Sequence, residues 1–485
     1  MKNEILQLSP LRLWHHFYYL NQVPRGSKKE EKVIAFMVDF GKRLGLETIV
    51  DETQNVLIKK PATAGMENRK TVVLQSHLDM VHQKNANTTF DFDKQGIEMY
   101  IDGDWVKAKG TTLGADNGLG VAAIMSILES ADIAHPALEA LFTIDEETGM
   151  TGAKGLKANF LKGEILLNLD TENDSEIDVG CAGGIDVSAN KSYTEIAVNP
   201  NSTAFNIVVN GLNGGHSGMD IHKGLGNANK ILNRIFYETL PFNYAITEIN
   251  GGSLRNAIPR ESFATIVVSN DDKTNFIDTF YKVSDDIKRE LEIMESGLQI
   301  QLLETQPPLK MMERKEQEQL IKTIYTAHNG VYRMSPDMEN LVETSNNIAI
   351  VTVKNGLAQI NCLTRSSVES SKMDLANALK AAFELGGFEV SFTGSYPGWK
   401  PNMKSSILKT MTEVYKNMFK SEADVVACHA GLECGILGSN YPNMEMISFG
   451  PTITGAHSPD EKASISSSQK FWIFLIEVLK NTPLK

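Results

Sequence analysis

Apolar residues first recur with a helical period at Val33, Ile34, Phe36, Met37, Phe40 and Leu44, which predicts one amphipathic helix that stops near Gly45. The residues up to about 60 read as a capping region around that helix. Between about 70 and 180 the period changes. Residues 71–75, 141–144 and 165–169 are short continuous apolar runs and predict buried strands, whereas residues 118–129 predict a helix with Asn117 as its N-cap. Continuous apolar strands alternating with helices predict a sheet covered on both faces. In such sheets ligands gather beyond the C-terminal ends of the strands.

The Gly-Cys-Ala-Gly-Gly string from Gly180 to Gly184 breaks this pattern, and the character of the chain changes from about 187. Residues 204–210 and 263–269 alternate like half-exposed strands. Helices are expected near 226–239 and 276–295, and more strand over 348–364. This section reads as an inserted α+β domain. A Pro- and Gly-rich stretch over 394–401 marks the return, followed by a helix (407–419), a strand (444–449), a loop (450–462) and a closing helix (469–480). The resulting division is 1–186, 187–392 and 393–485.

Composition narrows the function. A chain of 485 residues with 42% hydrophobic and 22% charged residues is long enough for more than one packed domain. The net charge of -13 and the lack of a strongly basic stretch argue against nucleic-acid binding. No window is long and apolar enough for a membrane span, and the N-terminus has no apolar leader, so a cytoplasmic enzyme is expected. The four cysteines form no C-x-x-C pair and read as buried thiols.

The chemistry sits where the apolar runs end. Asp145-Glu146-Glu147 follows one of them, and side-by-side carboxylates there are costly unless a cation is near. His77-Leu78-Asp79 follows another: one residue can bind a metal while the other orients it. With ten histidines and 60 acidic residues, about one such pair arises by chance, so alone it reads as well as a surface ion pair. Asp116 precedes a helix, where it can cap the helix or, with Asn117 as cap, bridge two metals. Glu146 and Glu147 point to opposite sides if the chain there is extended, so one can ligate and the other can accept a proton. Asp170 ends a third run, while Glu172, Asp174, Glu176 and Asp178 after it read as solvated. His457 lies in a loop after the 444–449 strand and can close a site or be inert. His216, between glycines, reads as a ligand contact or a tight turn. His429 and Glu433 are further candidates.

In this order, the residues resemble the co-catalytic metallopeptidase superfamily of aminoacylases, glutamate carboxypeptidases and carnosinases, and within it the cytosolic aminoacyl-histidine dipeptidases. The stretches that carry the resemblance are His-Leu-Asp-Met-Val-His-Gln-Lys-Asn from His77, the run from Tyr100 to Gly118, and Gly180 to Gly184. The resemblance implies an α/β zinc-peptidase-like catalytic domain, with a mixed central sheet flanked by helices, plus an inserted α+β lid domain. It implies that His77 and Asp170 hold one metal, Glu147 and His457 the other, and that Asp116 bridges them. Asp79 would orient His77, Glu146 would be the general base, and His216 would donate to the oxyanion. Asn256 and Arg365 would grip the substrate.

The implied cofactors are two divalent metal ions, preferably Zn2+, with Mn2+ or Co2+ also compatible. The expected function is a metal-dependent dipeptidase acting on unblocked dipeptides, Xaa-His among them, as a homodimer without nucleic-acid or membrane partners. An aminoacylase or tripeptidase with the same metals is the alternative, and a non-catalytic binding module a further one.

Overall fold

The computed structural model describes residues 4–485. Two compact units divide the chain: the first runs to Cys181 and resumes over Trp399–Ala427 and Leu432–Lys485, and the second comprises Ala182–Gly398 and Cys428–Gly431.

The first unit is built on an eight-stranded mixed sheet. Its order is Glu47–Val50, Val56–Lys60, Leu138–Thr143, Val72–His77, Ile165–Asn168, Glu445–Ser448, Glu176–Cys181 and Asp424–Cys428. The four strands from Leu138–Thr143 to Glu445–Ser448 are parallel. Every residue of the Val72–His77, Leu138–Thr143 and Ile165–Asn168 strands is buried, as expected where both faces are covered. Register aligns their ends: His77 lies opposite Thr143, Gln75 opposite Asn168, and Asn168 opposite Ser448. The segments that follow therefore emerge along one edge of the sheet. The helix Ala115–Glu129 covers one face and is apolar almost all round, which fits its burial. Leu57, Val73, Leu141, Leu166 and Met446 form a core on the sheet with Ile436 and Leu437.

Three local expectations change. The capping region holds two helices, Leu11–Leu20 and Glu31–Arg43, and the two strands Glu47–Val50 and Val56–Lys60 that extend the sheet. The first helix escapes a periodicity reading because Leu, aromatic and His residues occupy every position but Arg12, although only Leu13, Trp14, Phe17 and Leu20 are buried. The Gly180–Gly184 string joins the strands Glu176–Cys181 and Gly183–Ser192, and the chain passes from the first unit to the second within it, at Cys181–Ala182, somewhat earlier than the expected change near 187. Gly183 is required there because a Cβ would lie 2.4 Å from the Gly398 nitrogen. Asp178 is not solvated; it is buried in its strand and accepts a hydrogen bond from Thr171 at 2.7 Å.

The second unit is α+β. Its nine-stranded sheet is antiparallel, with Ser202–Asn210, Ser262–Ser269, Tyr244–Gly251, Val342–Lys354, Leu357–Ser366 and Gly183–Ser192 at successive inner positions. Helices Ala228–Glu238, Lys273–Leu291, Arg314–Thr326 and Glu369–Leu385 contribute Leu232, Phe280, Ile321 and Leu379 to its core. The unit extends past residue 392 because the Glu389–Tyr396 strand pairs with Gly183–Ser192. Among the described residues, no helix is long and apolar enough to cross a membrane.

Candidate metal centre

At the edge of the first sheet, seven of the expected residues converge. His77 ends its strand and is 1% exposed. Its Nδ1 lies 3.1 Å from the Asp79 carbonyl oxygen and 3.4 Å from Asp79 Oδ1. These acceptors place the ring proton on Nδ1 and leave the Nε2 lone pair facing outward. Nε2 lies 3.1 Å from Asp116 Oδ1 and 3.6 Å from Asp170 Oδ1. On the other side, His457 Nε2 lies 3.1 Å from Asp116 Oδ2 and 2.9 Å from Glu147 Oε2. Two three-residue donor sets result, His77–Asp116–Asp170 and Asp116–Glu147–His457, and Asp116 belongs to both through different oxygens.

Local structure explains each placement. Asp145 is left-handed (φ 52°) and turns the chain into a short helix, Glu146–Gly149. Glu146 and Glu147 thus sit on a helical turn rather than on opposite sides of extended chain. His77, Glu146 and Glu147 also have donor atoms within 4.8 Å of one another. Asn117 does not cap the helix: its amide donates to Asp170 and, at 2.6 Å, to the Leu169 carbonyl. His457 lies at the tip of a hairpin whose strands Ile453–Thr454 and Lys462–Ser464 pair with each other.

The electrostatics ask for positive charge. Burial alone would lower the pKa of His77, but Asp170, Asp116 and Asp79 override it and hold the ring well above its ordinary value. Hydrogen bonds to Asp116 and Glu147 raise His457 to about 11. Burial pushes Glu146 well above the ordinary carboxylate range, against the pull of His77 and with Asp170, Glu433 and Glu147 adding to the rise. Glu147 Oε1 is buried and has no hydrogen-bond partner. Two imidazoles with several carboxylates, one of them with an orphaned oxygen, fit divalent cations.

Four residues support the site from behind it: Arg25 and Glu30, which carried no signal in the sequence, and Asp79 and Glu433, which the sequence had already singled out. Arg25 is 1% exposed, and its guanidinium donates to the carbonyls of Leu78 and Asp79 at 3.1 Å and of Gly114 at 2.5 Å. Burial lowers it to about 10, against the pull of Glu461, Asp79 and Asp116. Glu30 accepts the Asp145 N–H at 3.0 Å. Asp79, expected behind His77, also accepts the N–H groups of Glu146 and Glu147. Glu433 is buried and accepts from Gln75 at 2.6 Å and Thr143 at 2.8 Å, and burial raises it to about 7.

The second unit holds the remaining candidates. His216 lies in the short strand Gly215–His216, and its Nδ1 accepts the N–H groups of Gly218 and Met219 at 3.2 and 3.0 Å. In the neutral ring Nε2 is therefore the protonated nitrogen, a donor. Asn256 is exposed in a turn, and its carbonyl accepts from Ser217 N–H at 2.8 Å. Arg365 is 4% exposed and donates to the Tyr396 hydroxyl at 2.8 Å and to the Ser217 hydroxyl at 3.4 Å. His429, also here, pairs with Ser345 Oγ at 2.8 Å and is lowered to about 3 by burial and by Arg365.

A mixed α/β sheet with paired His–carboxylate donor sets at the C-terminal ends of its parallel strands defines a class of metal-dependent hydrolase. The family model described as Peptidase family M20/M25/M40 matches residues 73–481, and the chain belongs to this family. It is 43% identical over 487 residues to the cytosol non-specific dipeptidase of Escherichia coli (strain K12), covering 100% of both chains. It is 42% identical to an aminoacylhistidine dipeptidase from Vibrio alginolyticus of known crystal structure, with a TM-score of 0.96, covering 100% of this chain and 99% of that one. A tripeptidase from Staphylococcus aureus subsp. aureus Mu50 shares the fold at 16% identity, with a TM-score of 0.56 over 98% of both chains.

Proposed function

We propose that this protein is a metal-dependent dipeptidase that hydrolyses unblocked dipeptides, Xaa-His dipeptides among them. The observation that carries the reading is Asp116, whose two oxygens each lie 3.1 Å from a histidine Nε2, His77 on one side and His457 on the other. A carboxylate so placed is suited to bridge two cations. His77 and Asp170 would hold one, Glu147 and His457 the other. Zinc suits the mixed imidazole and carboxylate donors, and manganese or cobalt would fit the same set.

When bound, the cations supply Lewis acidity and make water a stronger acid. Glu146 is the general base: it takes a proton from the attacking water and returns it to the leaving amine. Asp79 holds His77 in the tautomer that leaves Nε2 free. On the family resemblance, His216 donates to the developing oxyanion, and Asn256 and Arg365 grip the substrate's backbone and carboxylate. His216 has the required protonated Nε2, and Arg365 is the permanent cation a carboxylate needs. Two relatives above 40% identity, from Escherichia coli and Vibrio alginolyticus, are named dipeptidases, which favours this substrate class over N-acyl amino acids or tripeptides. A homodimer and a cytoplasmic location complete the proposal, the latter supported by the name of the Escherichia coli relative.

The test is turnover on a panel of dipeptides with varied C-terminal residues, alongside N-acyl amino acids and tripeptides, with metal content measured on the same samples. Dipeptide cleavage that is lost on chelation and restored by a divalent metal is expected. Cleavage confined to N-acyl amino acids or tripeptides would replace this reading with the alternative. Light scattering reads the oligomeric state.

A further inference from the structure

Resting on the two-metal reading above, we infer that Glu461 is a positioning residue that assembles one half of the metal centre by locking the His457 hairpin onto the loop that presents Asp116. The Glu461 carboxylate is 3% exposed and accepts four consecutive backbone N–H groups: Leu113 at 2.7 Å, Gly114 at 2.9 Å, Ala115 at 2.7 Å and Asp116 at 3.3 Å.

These four donors converge because Gly114 is left-handed (φ 71°) at the start of the Ala115–Glu129 helix. That turn bends the backbone into a concavity of N–H groups that suits an anion. A side chain at 114 would strike Arg25 Nη2 at 2.5 Å, so only glycine forms it. Arg25 in turn holds the Gly114 carbonyl from the other side.

The hairpin tip is tied to itself as well as to this concavity. Ser458 Oγ donates to the Gly455 carbonyl at 2.7 Å, Glu461 N–H to the Ser458 carbonyl at 3.1 Å, and Asp460 N–H to Ser458 Oγ at 3.2 Å. Fixing Glu461 therefore fixes His457, four residues earlier. The sequence separation between Glu461 and its acceptor-bound loop is 345 to 348 residues, and this one carboxylate joins the two segments that bring His457 and Asp116 to 3.1 Å. The two bonds from Asp116 N–H and Ala115 N–H to Oε1 also set the backbone from which the Asp116 carboxylate projects.

Glutamine at 461 would turn an amide N–H toward N–H donors, losing about half of the bonds while keeping the shape. Losing an orienting partner of a metal ligand typically costs about 10–100-fold in metal affinity. The effect should be larger on the Asp116–Glu147–His457 set, which Glu461 positions through both His457 and Asp116, than on His77–Asp116–Asp170, which it reaches through Asp116 alone.

The experiment equilibrates the wild type, Glu461→Gln, His457→Ala and Glu445→Gln against a graded series of buffered free Zn2+ and counts bound zinc by elemental analysis. Glu445 is a control: its carboxylate also accepts several bonds, from Lys70, Ser405, Ser406 and Ile407, away from the donor sets. The expected result is two zinc ions in the wild type. Glu461→Gln should hold one close to wild-type affinity and the second about 10–100-fold more weakly. Its kcat should fall with KM little changed. Glu445→Gln should lower the thermal midpoint yet bind zinc as the wild type does. Two zinc ions at wild-type affinity in Glu461→Gln, with one lost in His457→Ala, would overturn the role of Glu461 alone. Two retained in His457→Ala would overturn the two-metal reading beneath it. If Glu461→Gln does not fold, Glu461→Asp, which keeps the charge but shortens its reach, is put through the same series with the same criteria.

Discussion

The Asp79 carboxylate accepts the backbone N–H of Glu146 at 3.0 Å. Its other oxygen accepts Glu147 N–H at 3.2 Å and the Ser27 hydroxyl at 2.8 Å, while His77 Nδ1 faces the first at 3.4 Å. One buried carboxylate thus couples a histidine donor to the turn that carries both glutamates, and these contacts hold Asp79 at about 2 against its burial. Asp79→Asn presents an N–H where an acceptor is needed. We expect it to lower kcat by about 10–100-fold and to weaken metal retention, as read by steady-state kinetics and elemental analysis.

Glu146 and Glu147 are adjacent in the chain but differ in partner, since His457 Nε2 lies 2.9 Å from Glu147. Glu146→Gln should therefore keep both metals while losing about 10²–10⁴-fold in turnover. Glu147→Ala should lose one metal equivalent. Full activity in Glu146→Gln would remove that residue from the base role.

Arg25 holds three carbonyls from two loops, those of Leu78, Asp79 and Gly114. Lysine cannot reproduce this fork, because its ammonium is a compact point charge. Arg25→Lys leaves at least one buried carbonyl unpaired, at about 1–3 kcal/mol for each group. A fall in the urea unfolding midpoint is expected, together with metal loss at free zinc concentrations that saturate the wild type.

Asp178 gives a pH signature separate from the metals. Burial raises its pKa from 3.8 to about 7, only partly offset by the bond from Thr171. The native state therefore keeps a proton that the unfolded chain releases. The stability this contributes is full below about pH 4 and is lost as pH rises toward 7, by up to about 4 kcal/mol. Asp178→Asn should flatten that decline. Denaturant unfolding of both proteins between pH 4 and 8 measures it: the variant should gain on the wild type as pH rises, and parallel curves would contradict the prediction.

Much of this site is legible in the sequence because its donors follow apolar runs. Val72–His77, Leu138–Thr143 and Ile165–Asn168 are apolar because they are buried on both faces, and a polar donor just after such a run must lie at the sheet's edge. That reasoning reaches His77, Glu146, Glu147 and Asp170. It does not reach Arg25, Glu30 or Glu461, which look like any surface charge in the chain. Their partners are backbone N–H and carbonyl groups, which leave no trace in side-chain pattern. The Leu11–Leu20 helix was hidden for a related reason, since its exposed face carries aromatic residues as its buried face does.

The sequence by itself determined which residue types could carry the chemistry and placed the parallel strands to within a few residues of their observed bounds, because period and burial are local properties of the chain. The resemblance implied that Asp116 belongs to both sets and that Glu147 rather than Glu146 accompanies His457; only the tertiary structure gave each Asp116 oxygen its histidine and showed that a carboxylate from the hairpin at 461 is bound by the loop at 113–116. Those are contacts between segments up to 348 residues apart. They depend on strand register and on two left-handed turns, at Gly114 and Asp145, which set direction only once the sheet has formed.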